Sequence, residues 1–325
     1  MFTTNHYNMN LCAHYTRSSL IILYDYPTFS LFYCLACGIF SLTAIIGNSI
    51  VFYAFWISGS LNQASKMLLL SLAASDLGIG LMVLPLNAVL MSQMYGLVRS
   101  NKIVKDQNVM ATCPLLKATI FLSTFFCGAS LMTVGTISID RYLSLLLHLR
   151  YRQLVTLTRI RTVLAAIWIT SFLAAMLETL LALNVIINTS GVVLVISVAS
   201  FAYWKIYTIA LRHQNQICVQ DAHQNQICLL THFARAKKMA MKTFSIFVVL
   251  VICNAPSIVI IPMFLTADSP SSLLILFTHL SIFLIFFNAC LNPVVYCWKM
   301  SEVRKICGNI LKLLLFRKCL QSGHQ

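Results

Sequence analysis

Carboxylate and imidazole groups are the first candidates for chemistry in this chain of 325 residues, and they are few and scattered. The sequence has 8 Asp and Glu residues together and 8 His. A membrane enzyme needs several such groups at one cavity, but only Asp76 and Glu178 stand deep inside long apolar segments. Ionisable residues in such segments are costly and mark functional positions. We therefore predict isolated binding or switching groups, and no enzyme.

The most metal-like pattern is the repeat HQNQIC, at residues 213–218 and 223–228. Zinc sites of known type use closer pairs of ligands. In a helix, a step of five residues also turns the direction of the side chain by about 140°. A duplicated polar extension of a helix fits the repeat better than a metal site, so no resident metal or organic cofactor is predicted here.

Composition indicates which elements must position these groups. Hydrophobic residues make up 59% of the chain and charged residues 10%, with a mean hydropathy of +0.84. Soluble domains are about one quarter charged, whereas a lipid core about 30 Å thick needs roughly 20 apolar residues per helix. Lipid also requires each segment to satisfy its own backbone hydrogen bonds. We predict an all-α integral membrane protein, a bundle of seven helices at 28–57, 67–91, 114–139, 162–184, 190–211, 243–266 and 272–298.

The fourth and fifth helices are divided by length alone. Residues 162–211 carry only Glu178 and Lys205 as charged residues, and a helix of that length would measure about 75 Å. Two spans are therefore needed. We predict the turn between them at residues 188–191, NTSG.

Basic residues predict the orientation. With the N-terminus outside, 18 of the 23 Lys and Arg residues fall on the cytoplasmic side and 5 on the outer side. This is the asymmetry of the positive-inside rule. The net charge of +15 then faces anionic lipid, and nucleic acid is not an expected partner.

Five motifs occur in a fixed order along these spans. They are GNS at 47–49, SLAASDL at 71–77, DRY at 140–142, Trp168, and NPVVY at 292–296. Together they resemble the rhodopsin-like, or class A, G-protein-coupled receptors over residues 28–316. LRYRQLVTLTR at 149–159 and SEVRK at 301–305 are most similar to the branch of the melanocortin, adenosine, cannabinoid and lysophospholipid receptors.

The resemblance implies a receptor that activates a heterotrimeric G protein. In the family, Asp140 neutralises Arg141 at rest, and Arg141 turns toward the G protein on activation. A second acid at the start of the sixth helix often also holds that arginine, but residues 233–243 contain none. Either basal activity is raised or another hydrogen bond compensates. The residues implied in coupling and activation are Asp140, Arg141, Tyr142, Tyr203, Pro256, Asn292, Pro293 and Tyr296.

The resemblance also implies a sodium ion beside Asp76, as an allosteric ion. Its oxygen ligands would come from Asp76, Ser130, Asn288 and Asn292. Asn288 and Asn292 are four residues apart and share a helix face. Two residues depart from the family pattern, because Ala289 lacks a common hydroxyl and Asn254 replaces the usual tryptophan. The alternative is a protonated Asp76 hydrogen-bonded to Asn48 and Asn292.

The extracellular ligand is less determined than the receptor class. Ser123 stands where amine receptors carry aspartate, and residues 271–298 lack the lysine that retinal needs. The adenosine-binding side chains are also missing, with Ile258, Ile261 and Phe286 in their places. The candidate pocket residues are Ser123, Glu178 and Asn254. A membrane transporter or channel is the alternative function, which broken helices or a chain of intramembrane acids would favour.

The resemblance divides the chain into an extracellular N-terminus at 1–27, the seven-helix receptor domain at 28–298, and an interfacial helix with a cytoplasmic tail at 299–325. The expected location is the plasma membrane. The short second outer loop has no cysteine, so the usual family disulfide cannot form. Cys12 and Cys113 face the oxidising exterior and are predicted to pair, the alternative being two free thiols. Cys319 and Cys307 are candidate palmitoylation sites.

Overall fold

The computed structural model describes residues 15–16, 18–57, 62–100, 111–147, 150–181, 185–217, 224–267, 269–299, 303–306 and 308–309. Across these residues the fold is helical, and seven helices are long and apolar enough to cross a membrane. They are α1 (Pro27–Ile57), α2 (Gln63–Arg99), α3 (Cys113–Leu147), α4 (Leu157–Leu181), α5 (Val185–Ile217), α6 (Gln224–Thr266) and α7 (Ser272–Lys299). The predicted fold class, a bundle of seven membrane helices, is confirmed.

The helices place polar groups inside the bundle and apolar groups outside. On α1 the buried set includes Ser30, Ser41 and Asn48, while Phe32 is 68% exposed and Leu42 62% exposed. A soluble helix would show the opposite arrangement, because water favours polar side chains on the outer surface. The pattern is that of helices surrounded by lipid.

The predicted turn between the fourth and fifth spans is wrong. Residues 188–191 lie within α5, which begins at Val185, whereas α4 ends at Leu181. Asn, Ser and Gly favour turns in water. In lipid an open backbone cannot bond to solvent, so the helix continues through such residues. Most of the helices also extend past the predicted apolar limits, because a helix end in the polar headgroup layer no longer needs apolar side chains.

The α3 helix lies at the centre of the bundle, in contact with α2, α4, α5 and α6. The α7 helix closes the ring by packing on α6 and α1. Buried apolar side chains form two clusters. One includes Leu145 at the end of the bundle that carries Arg141, which we call the Arg141 end. The other includes Phe264 at the opposite end, which we call the Phe264 end.

At two glycines, neighbouring helices approach each other closely. A Cβ atom at Gly78 of α2 would overlap the ring of Phe126 in α3. At Gly47 of α1 it would lie 2.8 Å from Pro293 in α7. Only glycine permits these contacts. Beyond Gly78, α2 widens into a π-turn at Ile79–Val83, a local distortion that often accompanies functional sites.

Candidate functional site

Asp76 is the most deeply buried acid of the bundle, with no exposed surface. Asn292 of α7 donates a hydrogen bond to its Oδ2 at 2.7 Å, and Ser130 of α3 donates to its Oδ1 at 3.3 Å. Thus α2, α3 and α7 meet at one carboxylate. A buried carboxylate needs such partners, because leaving it unpaired in an apolar medium costs several kcal/mol.

Two further oxygen atoms belong to the predicted sodium site. The amide Oδ1 atoms of Asn288 and Asn292 are buried and accept no hydrogen bond from the described residues. Unpaired carbonyl oxygens suit a hard cation, which prefers oxygen ligands. The residues present therefore fit the ion.

The alternative to a sodium site was a protonated Asp76 hydrogen-bonded to Asn48 and Asn292, but Asn48 has other partners. Its Nδ2 donates to the carbonyl oxygens of Ala44 at 3.0 Å and Ala289 at 2.9 Å. Asn48 thus ties α1 to the backbone of α7. The Asn292 hydrogen bond of that alternative is present, and the Asn48 bond to Asp76 is replaced by these backbone contacts.

Arg141 is held at the end of α3 by two partners. Its Nη2 lies 2.7 Å from Asp140 Oδ2 and also donates to the hydroxyl of Ser65 at the start of α2. Both Asp140 and Arg141 are buried. A charge-assisted bond from Arg141 to another helix is therefore present, although residues 233–243 offer no acid.

Tyr151 completes this group from the short helix Tyr151–Leu154 that follows α3. Its hydroxyl donates to Asp140 Oδ1. Burial and the charge of Asp140 raise the pKa of Tyr151 well above its usual value, so the hydroxyl keeps its proton for this bond. Neither Ser65 nor Tyr151 was predicted, because no spacing rule links residues on different helices. Tyr142, the third residue of the motif, packs against the apolar cluster at the Arg141 end.

Tyr203 and Tyr296 are both buried near the Arg141 end. The ring of Tyr203 packs against Phe244 and Phe247 of α6, with centroids 5.0 Å and 5.1 Å away. The ring of Tyr296 meets Phe55 of α1 edge-on at 5.2 Å. Their hydroxyl groups are not bonded to each other, so the bridge that the resemblance assigns to the active state is not formed.

The α6 helix carries Pro256 and Pro262 in its interior. Each proline removes one backbone donor and strains the preceding turn. Just before Pro256, Asn254 donates to the carbonyl oxygen of Leu250 at 2.8 Å, and Ser257 donates to that of Asn254 at 2.7 Å. Asn254 therefore bonds within its own helix, where the family usually has tryptophan.

The candidate pocket residues lie on three helices. Glu178 of α4 accepts a hydrogen bond from Thr124 of α3, the neighbour of Ser123. This contact stands beside a group of aromatic rings shared by α3 and α4, namely Phe121, Phe125, Phe126, Trp168 and Phe172. Thr124 was missed in the sequence, and its hydroxyl supplies a partner for the lone acid.

Cysteine pairing is visible at one of the predicted positions. Cys113, at the start of α3, is disulfide-bonded, and the described cysteines that are outside any disulfide are Cys34, Cys37, Cys127, Cys253, Cys290 and Cys297. Cys12, Cys307 and Cys319 lie outside the described residues. Their pairing and palmitoylation stay predictions.

Comparison with known proteins agrees with this geometry. Residues 47–185 match the profile of the 7 transmembrane receptor (rhodopsin family). This part of the chain is similar to that family. The predicted class A resemblance is thus confirmed, and the matched segment holds the Asp76 and Arg141 groups of α2 and α3.

Curated proteins are similar to part of this chain. Adenosine receptor A2a of Cavia porcellus is 29% identical over 41% of this chain and 29% of its own. Adenosine receptor A3 of Canis lupus familiaris is 32% identical over 42% and 38%. Probable G-protein coupled receptor No9 of Amphibalanus amphitrite is 29% identical over 46% and 29%. The match spans under two fifths of each of these relatives.

Proposed function

We propose that this chain is a receptor that activates a heterotrimeric G protein when an extracellular ligand binds. The observation that carries the proposal is the buried Arg141, held by Asp140 and Ser65 at the end of α3. Both contacts are side-chain contacts that a small helix movement can break. The similarity of residues 47–185 to the rhodopsin family supports a receptor rather than a catalyst.

In the proposed mechanism the described contacts are those of the resting state. Release of Arg141 from Ser65 would free its guanidinium to face a G protein at the Arg141 end. The α6 helix, which has two prolines in its interior, is the natural moving part. Because residues 233–243 carry no acid, no ion pair ties this part of α6 to Arg141. Tyr203 and Tyr296 have hydroxyl groups available to join in the active state.

We further propose that the N-terminus is outside and that the membrane is the plasma membrane. The excess of Lys and Arg supports this orientation, because it puts 18 of 23 on the cytoplasmic side. The Arg141 end then faces the cytoplasm, where G proteins are. The Phe264 end faces the extracellular ligand.

A sodium ion is proposed as an allosteric ligand at Asp76. Asp76, Ser130, Asn288 and Asn292 would hold it by their oxygen atoms. An ion that binds the resting state better than the active state lowers basal activity by linkage. The chemistry of these residues supports the assignment, since three neutral oxygen donors accompany one carboxylate.

The proposed ligand is neither a typical amine nor retinal. Thr124 donates a hydrogen bond to Glu178. This bond leaves the carboxylate less available as a counter-ion for a cationic ligand. Two relatives are named adenosine receptors, but the family match ends at residue 185, before α6 and α7. In those helices Ile258, Ile261 and Phe286 stand where adenosine-binding side chains are expected. These residues do not favour adenosine.

The test is nucleotide exchange on purified G proteins by the receptor in membranes. Arg141→Ala should abolish exchange while surface expression stays within a few-fold of the unmutated receptor. Arg159→Ala is the matched control, because Arg159 is an exposed base on the same side of the membrane and its loss should leave exchange unchanged. Normal exchange by Arg141→Ala would overturn the proposed function.

A further inference from the structure

The chain just before α1 forms a helix with one buried face. Residues 15–25 are helical wherever they are described, and we call them the N-terminal segment. Ile22 and Leu23 have no exposed surface, whereas Ile21 is 48% exposed and Tyr24 72% exposed. Neighbouring residues of similar size thus differ completely in exposure. This one-sided burial is that of a helix docked into a groove.

Polar contacts fix the segment to helices that are remote in sequence. Ser19 Oγ lies 3.2 Å from Nε2 of His279 in α7. Ser272, at the start of α7, donates to Asp25 Oδ2 at 2.7 Å. Such hydrogen bonds between side chains are directional and specify one docked position.

Aromatic contacts extend the docking to α6 and α1. The ring of Tyr15 packs edge-on against Phe264 at 6.2 Å and against His279 at 5.8 Å. Phe29 and Tyr33 of α1 approach the same imidazole at 6.0 Å and 6.2 Å. His279 is therefore the centre of the contact, held between the segment and α1.

Apolar side chains of the segment belong to the core of the Phe264 end. Leu20, Ile22 and Leu23 join the buried cluster that contains Met91, Leu116, Phe264 and Ile275. These side chains of the segment are therefore part of the core at the Phe264 end.

We propose that the N-terminal segment is a tethered ligand of its own bundle, seated among α1, α6 and α7 at the Phe264 end. It stabilises the state in which Arg141 is bonded to Asp140 and Ser65, because both occur in one structure. Its covalent link to α1 gives it a high effective concentration. Any soluble ligand that uses this end must displace it. The docked position of the segment does not depend on the proposed function. Its effect on signalling rests on that function.

Docking is tested without a G protein by labelling cysteines on intact cells with a membrane-impermeant maleimide. Leu23→Cys and Tyr24→Cys are adjacent, one buried and one exposed, and the unmutated chain gives the background. If the segment is docked, Leu23→Cys should react about tenfold or more slowly than Tyr24→Cys, since its thiol reacts only in the open state. Adding Ile22→Asp should remove the difference. Equal rates without Ile22→Asp would overturn the docking.

The signalling effect is tested by basal nucleotide exchange at matched surface expression. Ile22→Ser should raise basal exchange roughly threefold or more by shifting the population toward the active state. Ile21→Ser, the exposed neighbour, should leave it unchanged. A synthetic peptide of residues 15–25 should lower exchange by the Ile22→Ser variant. Undocking in Ile22→Ser is checked by combining it with Leu23→Cys and measuring the labelling rate. If the segment is undocked and Ile22→Ser and Ile21→Ser still give equal basal exchange, the tethered-ligand role is contradicted.

Failure of the proposed function would give a different result. In that case neither the unmutated receptor nor Ile22→Ser would drive exchange on any G protein, while the difference between Leu23→Cys and Tyr24→Cys in labelling would persist.

Discussion

Single residues show where sequence alone could place function and where it could not. The pair Asp140–Arg141 was predicted because the two residues are adjacent at the end of an apolar stretch. Ser65, which also bonds Arg141, lies 76 residues away on another helix. A spacing rule acts within one helix, so it cannot reveal a partner that only the fold brings near. The same limit concealed Thr124 as the partner of Glu178.

The Arg141–Ser65 bond gives a prediction about basal activity. Ser65→Ala removes one acceptor from a charged donor, and such bonds contribute about 1.5–3 kcal/mol. We expect basal nucleotide exchange to rise several-fold, because the resting state loses this contact. Ser65→Thr keeps the hydroxyl and should preserve low activity. If alanine and threonine variants gave the same basal exchange, the bond would have no role in holding the resting state.

The Asp76 group gives a prediction about sodium. In the unmutated receptor, basal exchange should be lower in sodium than in a large organic cation at equal ionic strength. Asp76→Asn should erase the difference, because the ion loses its only charged ligand in the proposed site. Ser75→Ala is the matched control, since the hydroxyl of Ser75 is equally buried but bonds the backbone of Leu72. An unmutated receptor indifferent to sodium would exclude the site.

Helices were the most predictable level of this molecule. Apolar stretches with at most one charged residue each, long enough to cross lipid, gave all seven spans, since membrane insertion depends on local composition. The boundary between α4 and α5 was not predictable, because turn-forming residues 188–191 remain helical in lipid. Contacts between helices were equally hidden. The sequence does not show which side chains will contact Gly47 and Gly78.

The contact between α1 and α7 gives a prediction about stability. Gly47→Ala puts a methyl group 2.8 Å from the Pro293 ring, and overpacking of this kind costs about 1–3 kcal/mol. We expect thermal unfolding of the solubilised receptor to begin several degrees lower. Gly38→Ala is the control on the same helix, because a Cβ there meets nothing within 4 Å. Equal loss in both variants would mean that the α1–α7 contact is not the cause.

At the scale of the whole molecule, the N-terminal segment is the feature that differs most from expectation. Residues 1–27 were predicted as an extracellular N-terminus, with no indication that part of it enters the bundle. Its apolar run Leu20–Leu23 is too short to signal a membrane span. The contacts that hold the segment come from residues of α1, α6 and α7, and only the fold brings these helices together. A pattern in the local sequence therefore could not predict its role.

The last prediction concerns a disulfide between the N-terminal region and the start of α3. Cys113 is disulfide-bonded, and the hydroxyl groups of Thr16 and Thr112 lie 3.4 Å apart. Thr112 is the neighbour of Cys113, and Cys12 precedes Thr16 by four residues. We therefore expect peptide mapping without reducing agent to recover Cys12 joined to Cys113.

A bridge across about 100 residues stabilises a fold by roughly 2–5 kcal/mol, chiefly by restricting the unfolded chain. Cys12→Ser and Cys113→Ser should therefore lower thermal stability equally, and the double variant should lose no more than either single one. Cys37→Ser is the control, because Cys37 is a buried free thiol. Recovery of Cys12 and Cys113 as two free thiols would contradict the bridge. The N-terminal segment would then be held by its noncovalent contacts with α6, α7 and α1 alone.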